Sequence, residues 1–348
     1  MAVAKVAEAP KTNKIGCTMD VYKGAESTLC AGCGHNAVTA QLIKALFDTG
    51  IQPHMVAKMS GIGCSSRTTA FFINQAHGFN GVHGRMAPVA TGAALANGKL
   101  KIIGISGDGD TASIGMGHFV HTLRRNTDML YILEDNGVYS LTKGQFSATA
   151  DVGSKLKSGE VNRAQPIDCC ALAIEMGCEF VACGFSGDQK QLHSLLKAAL
   201  RHTGTALLDV VSPCVTFNNH EGSTKSYLHV KSQTVPLNVI DLVDPCCPPA
   251  NAELADGEVR EISMGDGAIV RLKKLSKDHD PTNRQAALAV LEQARRDKVV
   301  LTGLIYIGKS RPSLRQECEM VSEPLATLPT KEVRPSREAL EQMMEIYG

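Results

Sequence analysis

A chain of 348 residues, 43% hydrophobic and 20% charged, can bury a sizeable core and has the balance of an ordinary soluble globular protein. Its net charge of +1 argues against nucleic acid or an anionic membrane surface as a partner, and no apolar run approaches the length of a membrane helix. Twelve cysteines, scattered through a long chain, suit a cytoplasmic metal or redox site better than a secreted disulfide scaffold.

Residues 1–25 read as irregular, and the opening MAVAKVAEAPKTNK as a loose tail without a signal core. Next comes Cys30-Ala-Gly-Cys33-Gly-His35 at the entrance of a helix patterned on Val38, Leu42, Ile43 and Phe47. A Cys-x-x-Cys has three readings: a redox pair, half of a zinc site, or two ligands of an iron–sulfur cluster. No second such pair lies nearby, which lowers zinc. Met55–Met59 predicts a strand running into Ser60-Gly-Ile-Gly-Cys64-Ser-Ser-Arg67, and a helix spans about 88–97.

The stretch Lys101–Gln145 carries the densest pattern. Ile102, Ile103 and Ile105 predict a buried parallel strand ending in Gly107-Asp108-Gly109-Asp110. Thr111 and Ser113 are candidate caps for a helix with inner residues Met116, Phe119, Val120 and Leu123. Met129–Leu133 predicts a second buried strand, ending in Asp135-Asn136. Polar residues then stand at the carboxyl ends of both strands, the edge where open α/β sheets bind ligands. Glycines let backbone approach a diphosphate, a helix amino terminus offers N–H groups, and Asp108 with Asn136 offers hard oxygens for Mg²⁺. A lone Gly-Asp-Gly is usually only a turn. Gly265-Asp266-Gly267, between Val259–Ile262 and Ala268–Leu272, reads as a hairpin and lacks an Asp-Asn partner.

Beyond Gln145, 147–164 reads as a polar surface crossing. Pro166 opens a helix to Gly177, Glu179–Cys183 is a strand, Asp188 caps a helix to His202, and Ala206–Val211 is a strand ending in Ser212-Pro213-Cys214. Cys30, Cys33, Cys64 and Cys214 therefore follow element ends that one sheet edge can gather. Four thiolates suit a [4Fe–4S] cluster or a Cys₄ zinc site equally on residues alone. Cys169, Cys170, Cys178 and Cys183 read as core. From about 236 the texture changes: a linker at Asp244–Pro249, the hairpin, a helix to Arg296, a strand at Val299–Ile307 and an amphipathic tail helix at 336–347. The division is a tail (1–25), a main domain (26–235) and an extension (236–348) packing on the sheet or a partner.

Gly-Asp-Gly, then 25 residues to Asp135-Asn136, resembles the motif of thiamine-diphosphate enzymes. The fuller string, GDGD…IG..H..H..RRN…DN.VY..TKGQ, resembles the β subunits of 2-oxoacid:ferredoxin oxidoreductases over roughly residues 15–315, including HDPTNR and GLIYIG. The resemblance implies a doubly wound, mainly parallel α/β sheet of the thiamine-diphosphate-binding type. It implies that Asp108, Asn136 and the Val138 carbonyl hold Mg²⁺, and that Gly107, Gly109, Asp110 and Thr142 lie against the diphosphate of thiamine diphosphate. His35 is a candidate cofactor contact, and His118, three residues from His121 on one side of its helix, is either a second or an exposed or core-edge histidine. The spacing 30, 33, 64, 214 matches the family's cluster ligands and tips the choice to [4Fe–4S].

The implied reaction is oxidative decarboxylation of a 2-oxoacid with CoA, with single electrons passing to ferredoxin; its physiological direction stays open. The glutamate that activates thiamine is not found here. The resemblance assigns it to an α subunit, so the assembly is a hetero-oligomer inactive as this chain alone. No run of closely spaced cysteines for further clusters is present. Thr142-Lys143-Gly-Gln resembles relatives acting on 2-oxoglutarate, with Lys143 and Arg67 as candidate carboxylate partners. The alternatives are a pyruvate-type or broad-range enzyme, a non-oxidative thiamine decarboxylase or carboligase, and a zinc-stabilised binding protein.

Overall fold

The structure, a computed structural model, describes residues 11–156, 158–243, 259–264, 268–274 and 279–347. Strands β1 (Val56–Ser60), β2 (His77–Asn80), β3 (Lys101–Gly107) and β4 (Met129–Asp135) come first, followed by a short hairpin, β5 (Val138–Tyr139) and β6 (Gln145–Phe146). Then follow β7 (Phe180–Phe185), β8 (Thr205–Val211), β9 (Thr234–Pro236), β10 (Asn238–Val243), β11 (Val259–Ser263), β12 (Ile269–Lys274) and β13 (Val300–Ile307). Eight of these form one sheet in the order β2-β1-β3-β4-β8-β7-β13-β9. Every pairing from β2 to β7 is parallel, and β13 runs antiparallel to β7. The sheet is the mainly parallel α/β arrangement read from the sequence.

Alternation along each strand decides what lies on either face. Ile103, Ile105, Leu130, Ile132 and Leu208 point into one core with helices α1 (Gly34–Thr49) and α6 (Gln189–Arg201). Ile102, Met129, Tyr131, Leu133 and Leu207 point into the other, covered by α3 (Met86–Ala96), α4 (Met116–Arg124), α5 (Cys169–Glu175) and α8 (Arg284–Asp297). Each such buried side chain contributes ~1.5–3 kcal/mol of transfer free energy, so the two cores hold the layers together. Gly104 interrupts the isoleucines of β3 because a Cβ there would sit 2.3 Å from Met86 Sδ.

The extension is woven into this architecture. β13 lies inside the sheet, and Ile240, Val270 and Leu272 of the antiparallel sheet β10-β12-β11 join the first core. β11 and β12 pair as a hairpin's arms do; the turn itself, residues 265–267, lies outside the described residues, as do the linker 244–249 and Cys246-Cys247. The last helix, Arg337–Tyr347, forms as expected and leaves Leu340, Met343, Met344 and Ile346 exposed. No helix among the described residues is long and apolar enough to cross a membrane.

Four local expectations are corrected. Residues 11–25 are docked: Tyr22 is fully buried, its hydroxyl donates to Ile51 O at 2.8 Å, and Asn13 donates to Phe47 O at 3.0 Å. The helix after Pro166 begins only at Cys169, because Asp168 is the residue whose carboxylate accepts from the Ala171 amide at 2.8 Å. Thr111 and Ser113 cap nothing. Gly109–Ile114 instead forms a widened, π-type turn, Gly115 breaks it, and α4 starts at Met116. Finally, 147–164 is no simple surface crossing, since Ser147, Thr149, Ala150 and Asn162 are buried under its fold.

Candidate active site

The chain leaves β1 toward β2 on one side and returns as β3 on the other, so strand order reverses between β1 and β3. Such a switch point opens a crevice at the carboxyl ends of the strands. A cleft with an empty volume of about 460 Å³ lies there. The loop after β1 (Ile62–Ser65), the turn after β3 (Gly107–Asp110) and the turn after β4 (Asn136, Val138–Thr142) line it, together with His35.

The β3 turn needs small residues because three loops meet on it. A Cβ on Gly109 would fall 2.4 Å from the Tyr139 ring, whose hydroxyl donates to Gly109 O at 3.1 Å. A Cβ on Gly61 would fall 1.9 Å from Asp110 Oδ2. Asp110 itself is buried: Oδ1 accepts from the Gly84 amide at 2.6 Å and the Ile62 amide at 3.3 Å, and Oδ2 from Ser106 Oγ at 2.8 Å. Its carboxylate ties the loops after β1 and β2 to the turn. Asp110 lines the cleft, but its charge is spent on the protein, leaving its backbone as the group for an anion.

Asp108 is 1% exposed and differently placed. Its Oδ2 accepts from the Gly137 amide (2.9 Å), Ser147 Oγ (2.5 Å) and Thr149 Oγ1 (2.6 Å), which leaves Oδ1 for a ligand. Thr149 also meets Asp135 Oδ1 at 2.8 Å, and Asp135 is ion-paired with Lys225. Burial, and secondarily the nearby Asp135 carboxylate, pushes the Asp108 carboxyl up to about 7. Lys225 loses by burial but gains more from Asp135 and Asp209, so its ammonium is held charged. Asn136 presents its side chain to the cleft beside this pair while Oδ1 accepts from the Val138 amide at 3.1 Å. A hard-oxygen set around a carboxyl reluctant to ionise is what a divalent cation would stabilise.

His35, at the start of α1, is 1% exposed, and burial lowers it to about 4. Its Nδ1 lies 2.6 Å from Ser212 Oγ and 3.5 Å from Glu134 Oε2. Burial also raises Glu134 well above a normal carboxyl, so this approach joins two neutral groups and is no ion pair.

The four cysteines come from three loops to one corner. Cys33 caps α1, Cys64 opens α2 (Cys64–Arg67), and Cys214 follows β8, whose loop accepts the Gly34 amide through Pro213 O at 3.2 Å. Thr216 Oγ1 lies 3.6 Å from Cys30 Sγ. Burial drives the Cys33 thiol up to about 12, with the backbone hydrogen bond to His35 pulling back and Glu134, Cys214 and Cys64 adding to the rise. Cys64 is raised by burial and also senses Cys214 and Cys30. Cys64 belongs to both constellations, because it lines the cleft as well. No three His, Cys, Asp or Glu donors among the described residues converge on a position for a single metal ion.

Of the other residues singled out, Thr142 lines the cleft. Lys143 is exposed beside it in the left-handed backbone region (φ 81°). Arg67 is exposed and donates to Thr28. His118, on α4 beside Arg85 and His121, does not line the cleft. Sequence reading missed Ser147, Thr149 and Lys225, which hold Asp108 and Asp135, as well as Tyr139 and His83 in the cleft wall. Only the Val-Tyr of the motif signalled any of these.

Comparison with known proteins bears on the same residues. The thiamine pyrophosphate enzyme family, C-terminal TPP binding domain, matches residues 61–210, and the family of the C-terminal part of the pyruvate ferredoxin oxidoreductase beta subunit matches 270–323. A 2-oxoacid:ferredoxin oxidoreductase subunit beta from Sulfolobus sp is 44% identical over 55% of this chain and 63% of its own. The chain thus spans less than two thirds of that relative's length. A solved 2-oxoglutarate:ferredoxin oxidoreductase from Magnetococcus marinus, with 2-oxoglutarate, coenzyme A and succinyl-CoA bound, superposes with a TM-score of 0.73 at 29% identity, covering 93% of this chain and 95% of that one. A 2-oxoglutarate synthase subunit KorB from Methanocaldococcus jannaschii is 34% identical, and the match covers 54% of this chain and 69% of that subunit. Similarity of this extent, running through the sheet and both turns of the cleft, makes the chain a member of the 2-oxoacid:ferredoxin oxidoreductase β-subunit family.

Proposed function

We propose that this chain is the β subunit of a 2-oxoglutarate:ferredoxin oxidoreductase, binding thiamine diphosphate, Mg²⁺ and one [4Fe–4S] cluster and working with an α subunit, CoA and ferredoxin. The observation that carries the reading is Cys64, which lies in the wall of the cleft and among the thiols at once. A cluster held there would lie close to a substrate in the cleft and could supply one-electron redox chemistry. Asp108, Asn136 and the Val138 carbonyl would hold Mg²⁺, with Gly107, the Gly109 and Asp110 backbone and Thr142 against the diphosphate. Cys30, Cys33, Cys64 and Cys214 would hold the cluster. Cys33 and Cys64, raised by burial, would become thiolates where a metal takes the proton's place, and a cluster would spread its thiolates over several irons.

When bound, thiamine diphosphate supplies the carbanion chemistry that lets a 2-oxoacid lose CO₂. The chain's own part is positional. Ser147, Thr149 and the Gly137 amide fix one oxygen of Asp108, so the other is presented without reorganisation. Neutral His35, held by Ser212, keeps a hydrogen-bonding nitrogen on the cleft wall without adding charge. Cofactor activation by a glutamate is left to the α subunit.

The raised Asp108 carboxyl makes binding pH-dependent. Below about 7 a proton competes with the cation for Oδ1, so Mg²⁺-dependent thiamine diphosphate affinity should fall on acidification through that value. In the ligand-free chain the sign for stability is opposite to that of an ordinary salt-bridged aspartate. The folded form holds its proton more tightly than the unfolded one, so stability is lost as pH rises from about 3.8 to about 7 and is level above. Thermal melts of ligand-free protein across this range check the sign.

The substrate assignment rests on Lys143 as a partner for the distal carboxylate of 2-oxoglutarate and on Arg67 as a partner for either the shared or the distal one. Lys143 follows Thr142 at the cleft rim, where it can reach an entering dianion. A charge-assisted bond is worth about 1.5–3 kcal/mol, so Lys143→Ala should raise KM for 2-oxoglutarate roughly tenfold to a hundredfold and leave pyruvate little changed. Equal loss on both substrates would mean that the lysine serves the cofactor. Arg67→Ala should impair every 2-oxoacid if it holds the shared carboxylate. The whole reading is tested by co-purifying the chain with its α subunit without oxygen and assaying a panel of 2-oxoacids for CoA-dependent ferredoxin reduction. Preference for 2-oxoglutarate supports it; decarboxylation without ferredoxin reduction removes it.

A further inference from the structure

A second, larger cavity, with an empty volume of about 1910 Å³, lies on the other side of Asp135 and shares no wall with the cofactor cleft apart from the Asp108–Thr149–Asp135 hydrogen-bond chain. It is lined by the start of α5, the carboxyl ends of β7 and β8, and one side of α8. Three thiols face it: Cys169 and Cys170 from α5, and Cys183 from β7. Cys170 Sγ lies 3.2 Å from Cys183 Sγ, although the two stand thirteen positions apart on different secondary-structure elements, and 3.8 Å from Asp209 Oδ2. The proposed reaction uses none of these groups.

We propose that Cys170 and Cys183 are a redox-active dithiol that closes to a disulfide by exchange with a low-molecular-weight disulfide entering this cavity. The geometry favours Cys183 as the attacking sulfur. It is the less buried of the two, and a Cys170 S–H donated across the 3.2 Å gap stabilises a charge there. The same hydrogen bond, then burial, raises Cys170, while at Cys183 burial and nearby carboxylates outweigh it, so both thiols react slowly. Cys183, as its thiolate, bonds to one sulfur of the reagent, whose S–S bond breaks and releases one thiolate. Cys170 then bonds to the Cys183 sulfur and releases the second thiolate. The two protein protons end on the two released thiolates, and the two electrons given up by the cysteines reduce the reagent. The product ties α5 to β7 by a covalent bond beside Asp209.

The test uses the anaerobically purified full chain with its α subunit, treated with cystamine, then unfolded, alkylated and cut after glutamate. Cleavage after glutamate leaves Cys169 with Cys170 in 161–175 and Cys183 with Cys214 in 180–221, so tandem fragmentation of the linked pair identifies which sulfurs are joined. The expected result is a Cys170–Cys183 pair lacking two hydrogens and carrying no cysteamine, while Cys170→Ser traps cysteamine on Cys183. Exposed Cys318 reports that the reagent worked. Should Cys318 carry cysteamine while Cys170 and Cys183 are both recovered alkylated, the proposal is overturned. If Cys170→Ser does not fold, the wild-type peptide map decides alone. Because the readout is covalent, it stands apart from substrate and cofactor assignment.

Discussion

Asp108→Ala should weaken Mg²⁺-dependent thiamine diphosphate binding by roughly 10- to 150-fold, the equivalent of losing one charge-assisted contact of about 1.5–3 kcal/mol. Two losses combine in that variant. A bound cation would lose the only uncommitted carboxylate oxygen that the described residues offer in the cleft, since Asp110 is used up by Gly84, Ile62 and Ser106. The Gly137 amide, Ser147 and Thr149 also lose their shared acceptor, so the segment 137–149 loosens. Asp108→Asn separates the two. It keeps an oxygen for those donors but carries no charge, so it should lose cofactor affinity nearly as badly while the loop stays folded. Its effect on the ligand-free protein should even be favourable above pH 7, where wild type bears the cost of a buried carboxylate beside Asp135. Lower affinity with a higher melting temperature is the signature of a group selected for its ligand. Wild-type affinity in both variants, measured by calorimetric titration, would show that the diphosphate binds elsewhere. Asn136→Ala should fall in the same direction with a smaller effect, since a neutral oxygen offsets less of the ion's charge.

The second large effect is on iron. Cys214→Ser should take iron and inorganic sulfide close to background and remove the broad visible absorption of a cluster, because serine is a poor soft ligand. Cys214 is buried, with its loop pinned by the Asn218 amide to Cys214 O at 3.0 Å, so the substitution removes a ligand without unsettling the backbone. Cys178→Ser is the matching control. That thiol is also buried, but it faces Phe180 O and Thr205 O at 3.4 and 3.2 Å inside the second core, so its loss should cost stability and leave iron intact. Metal analysis after anaerobic purification distinguishes the two variants.

What could be read from the sequence followed the range of the interactions involved. The run Ile102–Ile105 and the turn Gly107–Asp110 are local: strand, turn and first helical residues are set by neighbours in sequence, and both turns of the cleft lie at the strand ends that the pattern indicated. The four cysteines were also legible as a set, because Cys30 and Cys33 stand at the entrance of α1 while Cys64 and Cys214 follow β1 and β8. The support of the site was not legible. Thr149 reaches Asp108 and Asp135 across 41 and 14 residues, and Lys225 reaches Asp135 across 90, contacts that only the packed sheet creates. Ser147 to Ala164 looked like a solvent crossing because its residues are small and polar. Ser147 and Thr149 are polar because they satisfy the buried Asp108 carboxylate. His118 and His121 share one side of a helix by their spacing, but spacing does not say which side meets the cleft, and His118 is not among the residues lining it.

Most depends on one shared residue, Cys64, which would place a cluster at the wall of the cofactor cleft. The direct measurement is iron content and low-temperature electron paramagnetic resonance of the anaerobically purified protein, wild type and Cys64→Ser, after reduction by 2-oxoglutarate with CoA and the α subunit. Wild type should hold about four irons per chain, with a cluster signal appearing only when substrate is added, and Cys64→Ser should show neither. Stoichiometric zinc without iron, or a full iron complement and an unchanged substrate-dependent signal in Cys64→Ser, would contradict the assignment.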